Sequence, residues 1–199
     1  MLELSASGSM NQLETVEIMQ RLNKSVEANL GFLEDLLLWS KGQLGGLVVT
    51  QTEIDIKKLI NSSAQTFHNR MEEKEISLIN EGSEDFKLTS DPELIQLVLR
   101  NLIGNAIKFS HRGGNIIIRA SKTENGSKIS IQDHGVGITK EKLEGIFELN
   151  HASTLGTEKE VGTGLGLTLC KEVVTKLGGT IEVESELNKG TTVIIQIPE

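Results

Sequence analysis

From Asn11 to about Gln43, apolar side chains return every three or four residues, at Met19, Leu22, Val26, Leu30, Leu33 and Leu37. Without proline, and with only Gly31 to interrupt it, this spacing predicts one long helix with a single apolar stripe, as in a helical bundle or coiled coil. Leu36, Leu38 and Trp39 widen the stripe near its end, and Gly42, Gly45 and Gly46 stop the helix. A stripe with no partner on its own helix predicts pairing of two copies through residues 11–43. Met1 to Met10 follow no period and read as a vector-derived junction or a frayed terminus, outside the fold.

The rest of the chain alternates strand and helix periods. Leu47–Thr50 reads as a short strand, and Thr52 as the cap of a helix from Glu53 to Glu73 with Ile54, Leu59, Ile60 and Phe67 on its buried face. Ile76–Ile79 and Phe86–Thr89 read as strands. Ser90-Asp91-Pro92 opens a helix that continues to about Phe109. Asn115–Lys122 and Lys128–Asp133 are β-branched runs joined by Glu124-Asn125-Gly126, a hairpin signal. A short helix over Lys140–Phe147 precedes an irregular stretch to Gly164. A helix from Leu165 to Leu177 ends at Gly178-Gly179, and strands Thr180–Ser185 and Thr191–Ile197 close the chain. The expected fold is α+β: a two-layer sandwich, helices on one face of a mixed sheet, preceded by the long helix. It divides into a terminus (1–10), a helix (11–46) and a compact domain (47–199).

Composition narrows the chemistry. With 20 Lys+Arg against 28 Asp+Glu, the 199-residue chain carries a formal net charge of −8. That charge opposes general binding to nucleic acid or anionic membrane surfaces. Aromatics are 3% of residues, with no Tyr, too few for base-stacking platforms. One cysteine, Cys170, rules out an internal disulfide framework and a Cys-rich zinc site, and reads as a small core residue. The longest apolar run, Leu36–Trp39, is far short of a membrane span, and no signal peptide is recognisable. The expected location is the cytoplasm, either free or as the soluble part of a membrane-bound sensor.

Four short signals occur in order over the last hundred residues. Asn101 and Asn105 stand at i and i+4, so both carboxamides share one helix face, with Lys108 close by. A carboxamide oxygen can ligate Mg²⁺ without neutralising it, although two Asn on a solvated helix face look the same. Asp133-His134-Gly135-Val136-Gly137-Ile138 follows a strand. Its carboxylate could accept from an exocyclic amine while the glycines let backbone approach a ligand, but a plain turn has this form too. Gly162-Thr163-Gly164-Leu165-Gly166-Leu167 opens a helix, where backbone N–H groups and the dipole favour phosphate. Neither a βαβ unit nor a Gly-Lys-Ser/Thr sequence accompanies it, which excludes a Rossmann or P-loop context. Lys189-Gly190-Thr191 alone would mean only a turn.

Together, in this order and spacing, the four resemble the N, G1, G2 and G3 boxes of the ATP-binding domain of sensor histidine kinases, in the superfamily of gyrase, Hsp90 and MutL with its Bergerat-type fold. Glu144-Gly145-Ile146-Phe147-Glu148 sits where that family has its F box. Leu33–Gln43 resembles the end of the second helix of the family's dimerisation and phosphotransfer hairpin. The resemblance implies ATP and Mg²⁺ as cofactors, with Asn105 holding the metal and Asn101 and Lys108 near the phosphates. Asp133 would bind the adenine amine, with Gly135, Gly137 and Ile138 shaping the base pocket. Gly162, Thr163, Gly164, Leu165, Gly166 and Leu167 would cradle phosphate and hinge a mobile lid over Ser153–Val161. Thr191 would line the adenine side. The implied partner is the receiver domain of a response regulator.

ATP-hydrolysing members of the superfamily resemble one another in a Glu four residues before the metal-binding Asn. Asn101 stands there, and a carboxamide cannot take a proton from water. Phosphoryl transfer to a protein group is therefore expected over simple hydrolysis, the alternatives being an ATPase or conformational clamp and a non-catalytic nucleotide-binding dimerisation module. The family's acceptor is a histidine followed by an acidic residue. His68, His111, His134 and His151 are followed by Asn69, Arg112, Gly135 and Ala152, and none lies on the long helix. The expectation is a chain that binds Mg–ATP but does not phosphorylate itself.

Overall fold

The computed structural model describes residues 18–19, 48–82, 86–148, 154–160, 162 and 164–198. The helix expected over 11–46 lies outside the described residues apart from Ile18 and Met19, which are helical and exposed.

Five strands form a mixed sheet. They are β2 (Ser77–Asn80), β4 (Asn115–Thr123), β5 (Gly126–Asp133), β6 (Thr180–Glu186) and β7 (Gly190–Ile197), in the order β2-β4-β5-β7-β6. The β2–β4 pair is parallel and the remaining pairs are antiparallel. Strand register aligns apolar residues in rows: Ile118, Ile131, Val193 and Val183 form one, and Ala120, Ile129, Ile195 and Ile181 the next. Successive side chains alternate between faces, so these rows make a continuous apolar face. Helices α1 (Ile56–Gln65), α3 (Pro92–Phe109) and α5 (Gly166–Lys176) supply the buried residues that complete the core, among them Ile60, Leu99, Ile103 and Val174. Cys170 belongs to this core, as its sequence context suggests. On the other face Arg119 pairs with Ser130, and Arg119 donates to Gln132 Oε1 across the strands at 2.8 Å.

Helix α3 follows its sequence signals closely. Asp91 caps it by accepting from the N–H groups of Glu93 and Leu94, Pro92 occupies the first turn, and Phe109 ends it. The other carboxylate oxygen of Asp91 accepts from Thr50 N–H at 2.8 Å, tying the incoming chain to the helix start.

The region before α3 differs from expectation. Residues 48–50 are not a strand, and Thr52–Asp55 forms β1, paired antiparallel with β3 (Lys87–Ser90). The cap is Asp55 rather than Thr52: its side chain accepts from Lys58 N–H, so the helix starts three residues late. Pairing of Ile54 with Leu88, both buried, wins over the helical reading of Glu53–Ile54. The single helix expected to Glu73 is interrupted at Thr66–Phe67 and resumes as α2 (His68–Glu73). The short helix α4 covers Lys140–Leu143 and gives way to turns before Phe147.

Candidate nucleotide site

Asp133 ends β5 in the row that continues Ile129 and Ile131, opposite Ile116. The alternation of the strand therefore turns a carboxylate towards the helix layer, where it is 7% exposed. Its Oδ1 accepts the N–H groups of Gly135 at 3.0 Å and Thr191 at 3.2 Å. Oδ2 accepts no hydrogen bond from the described residues. Burial raises the pKa of this carboxyl, although both backbone donors oppose the shift.

The loop after Asp133 is held from two sides. Gly135 forms an isolated bridge with Ser110 at the end of α3, and Val136 N–H donates to Phe109 O at 3.2 Å. Gly137 has a φ of +64° and packs so closely on the Glu186 carbonyl that a Cβ would collide with it. Ile138 N–H donates to Ser185 Oγ at 2.9 Å, and Ser185 contacts Thr191 Oγ1 at 2.9 Å. Ser185 belongs to none of the sequence motifs. Its one signal is a serine at an inward-facing position of β6, in line with Ile181 and Val183.

The second half of the site lies where α3 meets α5. Asn101 donates through Nδ2 to Leu97 O at 3.2 Å, which fixes the carboxamide. Its Oδ1 faces Gly166, where a Cβ would lie 2.7 Å from it; the same Cβ would be 3.9 Å from Asn105 Nδ2. Glycine at the first residue of α5 thus lets this helix end abut both carboxamides. No side chain caps the end, so first-turn N–H groups are offered to an anion. Gly164 (φ +76°) and Leu165 lead into it, Leu167 packs partly on the core, and Gly162 is half-buried. Thr163 lies outside the described residues.

Lys108, one turn beyond Asn105, carries its ammonium 4.7 Å above the Phe109 ring and donates to Thr154 O at 2.9 Å. Burial lowers its pKa, and the charge of Glu160 pulls the other way. The segment expected as a mobile lid is thus partly tied down, since residues 154–160 bond to the end of α3. Phe147, in the F-box position, has Lys171 Nζ 5.3 Å from its ring centre. Among the histidines, His68 pairs with Glu72 on α2 and His134 contacts Asn115 O from an exposed position. His151 lies outside the described residues.

The residues present suit a nucleotide with Mg²⁺. The candidate set comprises the second carboxylate oxygen of Asp133, the carboxamide pair of Asn101 and Asn105 and the uncapped start of α5, and among the described residues there is no cluster of three His, Cys, Asp or Glu. A single carboxamide donor fits Mg²⁺, which keeps waters and substrate phosphates as its other ligands.

Comparison with known proteins decides the family. Residues 90–199 match the family described as histidine kinase-, DNA gyrase B-, and HSP90-like ATPase. The chain belongs to this family. It is 32% identical over 198 residues to the autoinducer 2 sensor kinase/phosphatase LuxQ of Vibrio vulnificus, covering 96% of this chain and 23% of that protein. It is 33% identical over 168 residues to the adaptive-response sensory kinase SasA of Crocosphaera subtropica, covering 83% of this chain and 44% of the relative. The chain therefore spans less than half the length of these curated relatives. The solved catalytic domain of histidine kinase ThkA superposes with a TM-score of 0.67 at 30% identity, over 75% of this chain and 95% of that one. Full-length ShkA in complex with AMPPNP shares the fold, with a TM-score of 0.75 at 24% identity, over 96% of this chain and 40% of that one. The α+β sheet-and-helix architecture is that of histidine kinase catalytic domains. Among the described residues no helix is long and apolar enough to cross a membrane.

Proposed function

We propose that this histidine-kinase-type ATP-binding chain binds Mg–ATP and transfers its γ-phosphoryl group to a histidine on a separate segment, for relay to a response regulator. The observation that carries the reading is the contact of α5 with the two carboxamides across Gly166, in a chain whose Asp133 is buried and pinned by two backbone N–H groups. Asp133 accepts the adenine amine, and Gly135, Gly137, Ile138 and Thr191 shape the base side. Asn105 holds Mg²⁺, which when bound screens the charge of the phosphates. Lys108 and the N–H groups from Gly162 to Leu167, Thr163 included, take the remaining phosphate charge. Asn101 offers no base for water, so attack falls to an imidazole nitrogen. The new N–P bond forms as the bond from γ-phosphorus to the bridging oxygen breaks, and ADP leaves. Pairing of two copies through residues 11–43 is part of this reading and predicts a dimer mass in light scattering. The solved complex of ThkA with its response regulator TrrA supports a receiver domain as the downstream partner.

The test is transfer in trans. The purified chain, Mg–ATP and a separate protein carrying an acceptor histidine should yield acid-labile, base-stable phosphate on that protein and none on the chain. Steady release of inorganic phosphate without transfer would favour the ATPase reading. Binding with neither outcome would favour a non-catalytic module.

A further inference from the structure

Lys74 belongs to none of the motifs above, yet its side chain is only 4% exposed. Its ammonium donates to Ile107 O at 2.8 Å, Lys108 O at 3.0 Å and Glu160 Oε1 at 2.9 Å. An ammonium has three N–H donors, and all three are used. Two acceptors are carbonyls at the C-terminal end of α3, where the helix leaves C=O groups unpaired and its dipole favours a cation. The third comes from the segment that leads into the glycine run at Gly162.

That segment is folded onto itself and onto α3. The second carboxylate oxygen of Glu160 accepts Glu158 N–H at 2.8 Å, and Glu160 O accepts Gly156 N–H at 2.9 Å. Thr157 donates its N–H to Lys108 O at 3.1 Å and its hydroxyl to Ser110 O at 2.8 Å. Gly156 leaves no space for a side chain, since a Cβ would lie 2.6 Å from Lys108 Cγ and strike the Glu160 carboxylate. Burial works to raise the Glu160 pKa, but hydrogen bonds from Lys74 and two backbone N–H groups, with the Lys74 charge, hold it below the usual range. Arg112 adds a second tie, to Glu75 at 2.8 Å and Glu158 at 3.2 Å, but in an exposed position. Exposed pairs contribute little.

We propose that Lys74 and Glu160 are positioning residues for the nucleotide site. One buried ammonium locks the end of the helix carrying Asn101, Asn105 and Lys108 to the strand of chain that enters the phosphate-facing glycines. The phosphate half is then set before nucleotide arrives, whereas Asp133 itself is held by the N–H groups of Gly135 and Thr191 and makes no contact with the lock. This inference rests on the nucleotide reading of the candidate site.

The experiment uses the full chain with Glu160→Gln, Lys74→Met and Arg112→Ala, titrated by calorimetry with Mg–ATP and with adenosine. Amide exchange at Gly156, Thr157 and Glu158 is followed without ligand. Glu160→Gln keeps the shape of a half-exposed side chain and so stays testable where Lys74→Met fails to fold. The expected result is Mg–ATP binding about tenfold weaker in Glu160→Gln, unchanged adenosine binding, and faster exchange at the three amides. Arg112→Ala should leave all three readouts near those of the unsubstituted chain. Unchanged Mg–ATP affinity or unchanged exchange in Glu160→Gln overturns the proposal while the site reading stands. Equal losses for ATP and adenosine also overturn it, because they mark general destabilisation. No ATP binding by the unsubstituted chain removes the site reading, and the proposal with it.

Discussion

Asp133 sits at the end of an apolar row, so its charge is held against the preference of its surroundings. Its pKa is raised above the ordinary aspartate value of 3.8, chiefly by burial. Between that value and the raised one, the folded chain binds more protons than the unfolded chain. Stability therefore falls as pH rises through this window and stays lower above it. Asp133→Asn keeps an oxygen for Gly135 and Thr191 N–H while removing the buried charge. It should melt no lower than the unsubstituted chain at neutral pH and lose the pH dependence over that window. Its new amide donor would face the adenine amine, so it should also lose preference for adenine over guanine nucleotides. Thermal melts across pH and paired ADP and GDP titrations check both halves. Asp133 was legible in the sequence because a carboxylate at a strand end, followed by two glycines, is a local pattern. Lys74 and Glu160 were not, because each is ordinary in its own segment and only the fold brings them within 2.9 Å.

Helix α5 packs on the core along one side and meets the carboxamides of α3 at its start. Thr168, Leu169, Cys170, Val173 and Val174 bury one side of it, while its first residue faces the carboxamides of α3. Gly166→Ala brings no unusual backbone angle, and at the first helical residue the helix preference of alanine over glycine, about 1 kcal/mol in a helix interior, is only partly gained. Its methyl must displace Asn101 Oδ1, however, and the carboxamide is anchored to Leu97 O. The expected outcome is a folded chain with a cooperative thermal melt and Mg–ATP affinity down by about tenfold or more. Unaltered affinity would mean that this junction does not carry phosphate. Helix starts with a strong cap, such as Asp91 with Pro92, were readable to the residue. The start of α1 was not: Thr52 and Asp55 are both good caps, and the choice was made by pairing of β1 with β3, a contact between segments far apart in sequence.

At the scale of the molecule, the sheet rows and the helix layer form one core. The order of the strands was hidden in the sequence, since β2 joins β4 in parallel and β7 lies between β5 and β6. The alternation that fills the rows was visible, and it is what turns Asp133 inward. A chain of net charge −8 attracts a polyphosphate only if local groups overcome the general repulsion. Mg²⁺ at Asn105, with Lys108 and the α5 N-terminus, supplies that in the present account. Calorimetric titration of the full chain with ADP, with and without Mg²⁺ and against GDP, tests this most directly. Saturable binding of one ADP per chain, strengthened by Mg²⁺ and weaker for GDP, is the predicted result. No binding at saturating ADP, or equal affinity for ADP and GDP without a response to Mg²⁺, would contradict it.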